Sequence, residues 1–388
     1  MKRPSAGSCR VREVGPVGRV VFKVGSSLVT EDRTLSLAKI DALAAGIAGF
    51  AARGGEPVVV TSGAIAAGAA RLKLPRRPRT IPEKQAAAAV GQGYLMAAWE
   101  QAFRRHGLQV AQVLLTGGDL ADRRRFINAQ NTLAALLEYR VIPVINENDT
   151  VAVDEIRVGD NDTLSATVAV LVGADLLVIL SDIDGLYTGD PRVDPKAVLV
   201  PTVRGIDAAL LASAGGTGSG VGTGGMRTKL VAARRVTDYG IPMAIASGQE
   251  AGSIDRLLAG EAVGTVFLPT GRRLAGKKHW IRHTLAPAGD ILVDAGAAKA
   301  LRLGGKSLLP AGVSGARGDF AAGDPVRILG PDGLEVARGL TRYSAAEIAS
   351  IKGLTTVRLR CLGCHREDEV VHRDELVVTA ATANDEKQ

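Results

Sequence analysis

Glycines and a lysine are arranged in residues 215–229 in a way that is typical of anion binding. Residues 215–225 read GGTGSGVGTGG and precede a helical pattern that begins near Met226, with Lys229 in its first turns. Glycine lets backbone N–H groups point at a ligand, and a helix N-terminus contributes unpaired donors and partial positive charge. The segment therefore predicts a binding site for an anion such as a nucleotide phosphate.

The same glycines formally match a dinucleotide-binding fingerprint, as Gly220, Gly222 and Gly225. That fingerprint follows the first strand of a βαβ unit and is followed about 20 residues later by an acidic residue. Here a helical pattern precedes the glycines, and Ile245 and Ala246 stand at that distance. No Gly-x-x-x-x-Gly-Lys-Ser/Thr occurs in the stretch, so neither an NAD-dependent oxidoreductase nor a P-loop fold is favoured.

Lys23 ends an apolar, strand-like run and is followed closely by a glycine and two serines. A lysine in such surroundings usually has an anionic partner, although a lysine that snorkels to solvent is the general alternative. Ser62 stands where a strand gives way to a helical run, so it can cap the helix while adjacent amides bind an anionic group. Capping alone would explain Ser62, whereas Ser62 followed by Gly63 favours carboxylate binding as well.

Two short acidic segments, residues 146–149 (NEND) and 159–162 (GDND), form the densest polar cluster of the chain. They suit recognition of an ammonium group, orientation of lysines, or coordination of Mg²⁺ through oxygen ligands. A turn-rich solvated loop is the simpler alternative, and it explains one segment more easily than both.

Cys361, Cys364 and His365 formally match a c-type haem attachment motif. Haem attachment requires export, and residues 1–19 lack the apolar segment of a secretory signal. A zinc site would need a second pair of ligands, which only His372 could begin to provide. We therefore interpret both cysteines as turn residues. Three cysteines are too few for a disulfide framework, which agrees with a reducing compartment and predicts a cytoplasmic location.

Short apolar runs alternate with longer helical patterns from residue 19 to about residue 268. The predicted strands are residues 19–24, 57–61, 110–116, 141–146, 175–181 and 241–246. The long predicted helices are residues 84–106 and 121–140, the second with Phe126, Leu133, Leu136 and Leu137 on one face. Nearly continuous apolar strands are typical of a mainly parallel sheet that is covered on both faces. Polar or glycine-rich residues follow the strands, where open α/β sheets bind ligands.

The net charge of +8 is unevenly distributed. From residue 285 to the end, 13 Lys and Arg stand against 14 Asp and Glu, which leaves that part at −1 and the rest at +9. Because nucleic-acid affinity depends on a basic footprint, RNA is not an expected partner. The most apolar stretch, residues 163–180, is interrupted by Gly173 and Asp175, so no membrane span is expected.

Six ordered blocks between about residues 19 and 378 resemble the amino-acid-kinase family, and within it the kinases that phosphorylate the side-chain carboxylate of glutamate. The blocks are FKVGSS (22–27), TSGAIAAG (61–68), VINENDTV (144–151), VGDNDTLSA (158–166), SDIDGLYTGDPR (181–192) and GTGGMRTK (222–229). The resemblance implies an α/β fold, a three-layer αβα sandwich around a mainly parallel sheet. The C-terminal part resembles a PUA domain, a small β-rich fold found on such kinases and on RNA-modifying enzymes.

The resemblance also implies roles for single residues. Lys23 and Lys229 would neutralise charge on the transferring phosphoryl group, and Asp162 would orient both lysines. The residues implied for glutamate binding are Ser62, Asp149 and Asn161. Those implied for ATP binding are Lys23, Ser181, Asp182, Thr223, Gly224, Gly225, Met226, Arg227, Thr228 and Lys229. ATP would be the donor, Mg²⁺ a helper, and L-glutamyl 5-phosphate the product on the route to proline. No residue is implied as a protein ligand of a metal.

The predicted boundaries are residues 1–18 for a disordered arm, 19–270 for the kinase domain, 271–284 for a linker, 285–380 for the PUA-like domain and 381–388 for a tail. The expected partners are L-glutamate, ATP with magnesium, proline as a feedback inhibitor, further copies of the kinase domain, and glutamyl-phosphate reductase downstream. A sibling kinase for aspartate, acetylglutamate or a nucleoside monophosphate stays an alternative, because fold does not separate these substrates. So does an RNA-binding protein that acts through its PUA-like domain.

The chain has Gly117 and Gly118 in the segment that runs from Thr116 to Asp119. Relatives of the glutamate-phosphorylating group carry a bulkier basic and small pair there. The difference would alter how a substrate or inhibitor is held.

Overall fold

A computed structural model describes residues 9–152, 161–191, 193–213, 225–269, 285, 287–303, 306–355, 358 and 368–379. The chain forms two compact units, Met1–Arg273 and Leu274–Gln388. Their division falls within the range predicted as a linker, residues 271–284, which lies outside the described residues. Within the described part of the chain, no helix is long and apolar enough to span a membrane.

The first unit is built on an eight-stranded sheet. The strands of this unit are β1 (Arg10–Val11), β2 (Gly15–Pro16), β3 (Arg19–Val24), β4 (Thr30–Glu31), β5 (Thr34–Leu35), β6 (Glu56–Thr61), β7 (Val110–Leu115), β8 (Ile142–Glu147), β9 (Leu176–Ser181), β10 (Thr202–Arg204), β11 (Met243–Ser247) and β12 (Thr265–Leu268). The order across the large sheet is β10-β12-β11-β9-β3-β6-β8-β7. Strands β3, β6, β7, β8, β9 and β11 run parallel, whereas β12 pairs antiparallel to β11. The prediction of a mainly parallel sheet is confirmed.

Helices cover both faces of this sheet. They are α1 (Leu37–Ala52), α2 (Ala64–Arg71), α3 (Ile81–Arg104), α4 (Gly117–Ala121), α5 (Arg123–Glu138), α6 (Asn161–Val172), α7 (Ala208–Ser213), α8 (Met226–Tyr239) and α9 (Ser253–Leu258). On one face, Phe22 packs with Phe50 of α1 and Trp99 of α3 in one buried cluster. On the other face, α6 packs against β3, β6 and β9 and carries α5 and α8 beside it. This alternation explains why β3 and β9 are apolar at nearly every position.

The prediction that residues 1–18 form a disordered arm is wrong for residues 9–18, which are ordered. Strands β1 and β2 form a hairpin in which Cys9, Val11 and Val17 are at most 3% exposed and belong to the main core cluster. Burial of the two valines stabilises the packing of the hairpin on the core. The basic composition of the segment did not indicate this packing. Residues 1–8 lie outside the described part.

Helices α2 and α3 touch backbone to backbone through two glycines. A Cβ added at Gly68 would lie 1.7 Å from the carbonyl oxygen of Ala87, and one added at Gly91 would lie 1.9 Å from that of Ala64. Only glycine therefore fits at either position. The contact fixes α2, and with it the turn between β6 and α2, against the long helix α3.

The second unit is a small β-rich fold. Its strands are β13 (Gly289–Val293), β14 (Val313–Gly318), β15 (Pro325–Leu329), β16 (Glu335–Leu340) and β17 (Leu376–Val378), and its helices are α10 (Ala295–Arg302) and α11 (Ala345–Ile351). The sheet order is β14-β13-β15-β16-β17, with only β13 and β15 parallel. Its core contains Ile291, Phe320, Ile328 and Tyr343. The prediction of a separate β-rich domain is confirmed.

Candidate active site

Two lysines share one buried carboxylate at the carboxyl edge of the sheet. Lys23 Nζ lies 2.5 Å from Oδ1 of Asp162, and Lys229 Nζ lies 3.3 Å from Oδ2. The exposed fraction of each lysine side chain is 5%, and that of Asp162 is 0%. Two ammonium groups therefore contact one carboxylate in a dry environment, where a bound anion interacts strongly with nearby cations.

Three elements that are distant in the sequence bring these residues together. Lys23 is the penultimate residue of β3, opposite Ile179 of β9 and Val60 of β6. Asp162 lies in the first turn of α6, and Lys229 in the first turn of α8. The Thr228 hydroxyl also donates to Oδ2 of Asp162 at 2.9 Å. The predicted grouping of Lys23, Asp162 and Lys229 is thus present in the structure.

The start of α8 adds backbone donors beside this cluster. Gly225 precedes the helix, and no side chain of a described residue is recorded as capping the first N–H groups. Such groups carry partial positive charge and bind anions, including phosphate. Met226 is half-buried and Arg227 exposed at the same end. The predicted nucleotide-binding residues Thr223 and Gly224 lie outside the described residues, as does the rest of the glycine-rich loop before Gly225.

The turn between β6 and α2 differs in detail from the prediction that Ser62 caps the helix. Gly63, with a φ of +115°, is the residue that precedes α2, and no side chain caps the helix. That φ lies in the left-handed region, which favours glycine. Ser62 instead accepts a hydrogen bond at 2.5 Å from Nδ2 of Asn161. Within the described part of the chain, the first N–H groups of α2 therefore have no side-chain cap and remain suited to an anionic group.

Asn161 joins the ends of three elements. Its Nδ2 donates to the carbonyl of Thr61 at 2.8 Å and lies 3.2 Å from Oδ1 of Asn146. Its Oδ1 is buried and has no hydrogen-bond partner among the described residues. A buried acceptor without a donor costs free energy, so this oxygen is suited to a donor on a bound molecule.

Asp149 lies half-buried just beyond β8. Burial alone raises the pKa of this carboxyl group from 3.8 to about 6. Among the described residues, no cation forms an ion pair with it. A substrate ammonium group would supply that missing charge.

Ser181 is the last residue of β9, the strand that pairs with the strand of Lys23, and Asp182 follows it. The buried Ser181 hydroxyl donates to Oδ1 of Asp182 at 3.0 Å, and Ser181 pairs with Ser247 of the neighbouring β11. Asp182 is exposed. Both residues therefore lie at the same edge of the sheet as Lys23, as predicted from the strand ends.

Residues 116–119 form the start of α4. The hydroxyl of Thr116 accepts from the backbone N–H of Asp119 at 3.1 Å, and the Asp119 carboxylate accepts from the backbone N–H of Thr116 at 2.8 Å. This reciprocal capping box stabilises the helix start. Gly117 and Gly118 therefore occupy the first helical positions, and their effect on substrate or inhibitor binding stays a prediction.

Sequence reasoning missed three residues behind the site. Trp99 donates from Nε1 to the Thr61 hydroxyl at 3.1 Å, and Gln92 accepts from Nδ2 of Asn146 at 2.9 Å. Asn146 itself is buried. The helical pattern of α3 contains polar residues on several faces, so nothing in it distinguishes Gln92. Asn146 was part of the predicted acidic segment but received no role.

Among the described residues, no group of three or more His, Cys, Asp or Glu side chains is placed to hold a metal ion. The Asp162 carboxylate is engaged by two lysines and by Thr228.

Comparison with known proteins identifies the family of this chain. The amino acid kinase family matches residues 18–247, and the PUA domain matches residues 289–362. The chain belongs to the amino acid kinase family. The resemblance seen in the six sequence blocks is confirmed, and this family member carries a PUA domain.

Relatives of this amino acid kinase match over nearly its whole length. "Glutamate 5-kinase" of Geobacter sp. (strain M21) is 52% identical over 93% of this chain and 98% of the relative. "Glutamate 5-kinase" of Moorella thermoacetica is 52% identical over 93% of this chain and 96% of the relative. The solved structure of a UMP kinase from Bacillus anthracis is 15% identical, covers 66% of this chain and 97% of that chain, and has a TM-score of 0.46. The relatives at 52% identity show that the chain is a kinase enzyme.

Proposed function

We propose that this kinase transfers the γ-phosphoryl group of ATP to the side-chain carboxylate of L-glutamate and forms L-glutamyl 5-phosphate. The observation that carries the proposal is the pair of buried lysines held by Asp162 between two uncapped helix starts, those of α2 and α8. The names of the relatives at 52% identity support glutamate as the acceptor.

The chemistry of the reaction suits this cluster. A glutamate carboxylate is already ionised at neutral pH, so its oxygen attacks phosphorus without losing a proton, and no strong general base is needed. Charge develops on the equatorial oxygens of the phosphoryl group and on the leaving ADP oxygen. Lys23 and Lys229 would stabilise that charge, and Asp162 would hold both ammonium groups in place.

We infer that the amino-acid substrate lies on the side of Ser62, Asp149 and Asn161. The half-buried Asp149 carboxylate would pair with the substrate ammonium group, and the buried Oδ1 of Asn161 would accept one of its hydrogen bonds. The α-carboxylate of glutamate would then face the N–H groups at the start of α2. This orientation directs the side chain of glutamate toward Lys23.

The nucleotide would occupy the opposite side, formed by Ser181, Asp182 and residues 223–229. ATP would enter with Mg²⁺ bound to its own phosphates, and the ion would offset part of their negative charge. Inhibition by proline, assembly of several copies through the kinase domain, a downstream reductase and a cytoplasmic location stay predictions that rest on the resemblance.

The test is ATP- and Mg²⁺-dependent formation of an acyl phosphate, trapped as a hydroxamate by hydroxylamine in the absence of ammonia. Glutamate, aspartate and acetylglutamate are compared at equal concentrations. We expect hydroxamate with glutamate alone. An equal or larger signal with either other acceptor, or no signal from a folded protein that binds ATP, would contradict the proposal.

The PUA domain makes RNA binding a second candidate function. The part of the chain after residue 285 carries a net charge of −1, which disfavours contact with a phosphate backbone. Binding of the full chain to a structured RNA, with affinity that falls steeply as salt rises, would support this candidate beside the kinase reaction.

A further inference from the structure

Gln92 of α3 lies behind the proposed glutamate side of the site, and neither the sequence motifs nor the proposed reaction gives it a role. Its Oε1 accepts a hydrogen bond at 2.9 Å from Nδ2 of Asn146. Asn146, only 3% exposed, is the penultimate residue of β8 and faces Asn161. The three amides form a chain that leads from α3 to the start of α6.

Backbone groups at two points show which end of each amide is the nitrogen and which is the oxygen. The N–H of Glu147 can only donate, and it donates to Oδ1 of Asn146 at 2.9 Å. The carbonyl of Thr61 can only accept, and it accepts from Nδ2 of Asn161 at 2.8 Å. Nδ2 of Asn146 therefore faces Gln92, and the oxygen of Gln92 must face Asn146.

This arrangement has one acceptor and one donor left over. Oδ1 of Asn161 and Nε2 of Gln92 are both buried, and neither has a hydrogen-bond partner among the described residues. The oxygen and the nitrogen of the Asn146 amide, by contrast, both form hydrogen bonds within the protein. Asn146 thus connects Gln92 to Asn161.

We propose that Gln92 is a positioning residue for glutamate: its Oε1 holds Asn146, and Asn146 holds Asn161 with Oδ1 directed toward the substrate. The inference rests on the proposed function, in which Asn161 binds the amino acid. Loss of the Gln92 oxygen strands Nδ2 of the buried Asn146 without an acceptor. The Asn146 side chain then relaxes, and Asn161 loses one of the contacts that orient its amide.

The test compares two substitutions that keep the length of the side chain. Gln92→Met removes the acceptor, whereas Gln92→Glu keeps an oxygen at the position of Oε1. Gln101→Met makes the same chemical change at an exposed position of the same helix and serves as the matched control. For Gln92→Met we expect the glutamate KM to rise about tenfold, the size of effect that one stranded buried donor produces, with an unchanged ATP KM. Gln92→Glu should restore most of the glutamate KM, and Gln101→Met should match the unsubstituted protein.

The decisive measurement is a double substitution. If Gln92 acts through Asn146, Gln92→Met should raise the glutamate KM no further in an Asn146→Ala background. Additive effects in that background would overturn the inference. So would a larger rise in KM for Gln92→Glu than for Gln92→Met, because that result would mean that Nε2 contacts the substrate carboxylate directly.

The unsubstituted protein separates the two proposals. If it is active on glutamate and the Gln92 variants show no selective change in KM, the proposed function stands and the positioning role is wrong. If it is inactive on glutamate, both fail together.

Discussion

The ammonium group of Lys23 lies 2.5 Å from Oδ1 of Asp162, and both side chains are almost completely removed from solvent. Lys229 approaches the other oxygen of the same carboxylate. Buried charges are costly to remove from water, so structural stability alone does not favour such a cluster. Two ammonium groups on one carboxylate suit the proposed role of stabilising a phosphoryl group.

Lys229→Ala should lower kcat for glutamate phosphorylation by about 100-fold to 1,000-fold, the range found for removal of one group that stabilises transition-state charge. The glutamate KM should change much less, since Lys229 lies on the phosphoryl side of the site. Steady-state kinetics with the hydroxamate assay measure both constants. Lys73→Ala, at an exposed lysine of the same unit, is the control. A rise in KM at unchanged kcat would contradict the role given to Lys229.

Asp162→Asn should both abolish activity and destabilise the first unit. The substitution keeps the shape of the side chain but removes the negative charge that both buried lysines contact, a change that costs about 3–5 kcal/mol in comparable buried pairs. Urea unfolding followed by circular dichroism measures the loss. Asp255→Asn breaks a pair with Arg53 in which Asp255 is 50% exposed, and it should cost less than about 1 kcal/mol. Equal costs for the two variants would show that Asp162 is not the counter-charge of the cluster.

The glutamate KM should depend on pH through Asp149. Burial raises the pKa of this group to about 6, so at neutral pH the carboxylate is ionised and can pair with the substrate ammonium group. As pH falls through about 6, the carboxyl group becomes protonated and the KM should rise. Asp149→Asn should have a high KM at all pH values and should lose this dependence. A KM of the unsubstituted protein that stays constant between about pH 5 and pH 8 would count against ammonium pairing.

The same group has the opposite effect on the stability of the free protein. Its pKa is higher in the folded state than the ordinary value of 3.8, so the folded state binds more protons between pH 3.8 and about 6. The contribution of Asp149 to stability therefore falls as pH rises through this window. Asp149→Asn should unfold at a higher temperature than the unsubstituted protein above about pH 6, because the penalty for a buried charge is absent. The difference between the two melting temperatures should shrink below about pH 4.

Gly68→Ala should destabilise the first unit by about 1–3 kcal/mol or more, because its Cβ would meet the Ala87 carbonyl oxygen at 1.7 Å and the two helices would have to separate. The glutamate KM should rise as well, since α2 carries the turn at Gly63. Gly93→Ala is the matched control in α3, where an added Cβ would have nothing within 4 Å. That change should stabilise the protein by about 0.5–1 kcal/mol. Destabilisation by Gly93→Ala of the same size would mean that the helix contact is not the cause.

The sheet could be predicted from the sequence because its strands are covered on both faces. Strand β3 has the predicted bounds, and the other five predicted strands differ from the observed strands by one or two residues at their ends. Neither β12 nor its antiparallel direction was predicted, because an apolar run of only four residues does not indicate a strand or the direction in which it runs. The hairpin at residues 10–16 was missed for a related reason: strands of two residues have no detectable period.

The charged centre of the site could be predicted, but its support could not. Lys23 and Lys229 stand beside glycines that indicate phosphate chemistry, whereas the role of Asp162 was implied by the family resemblance. Gln92 and Trp99 act through hydrogen bonds to Asn146 and Thr61, and these contacts depend on which way α3 faces the sheet. A helix with small residues on most faces, as α3 is, does not reveal that orientation in its sequence.

The dependence of the lysine cluster on β3, α6 and α8 has a consequence for synthesis on the ribosome. The chain emerges from its N-terminus, so β3 is complete long before its sheet neighbour β9 and before α8. A chain that ends before Met226 lacks Thr228 and Lys229, which both contact the Asp162 carboxylate in the folded protein. The complete cluster can therefore form only after α8 has been synthesised.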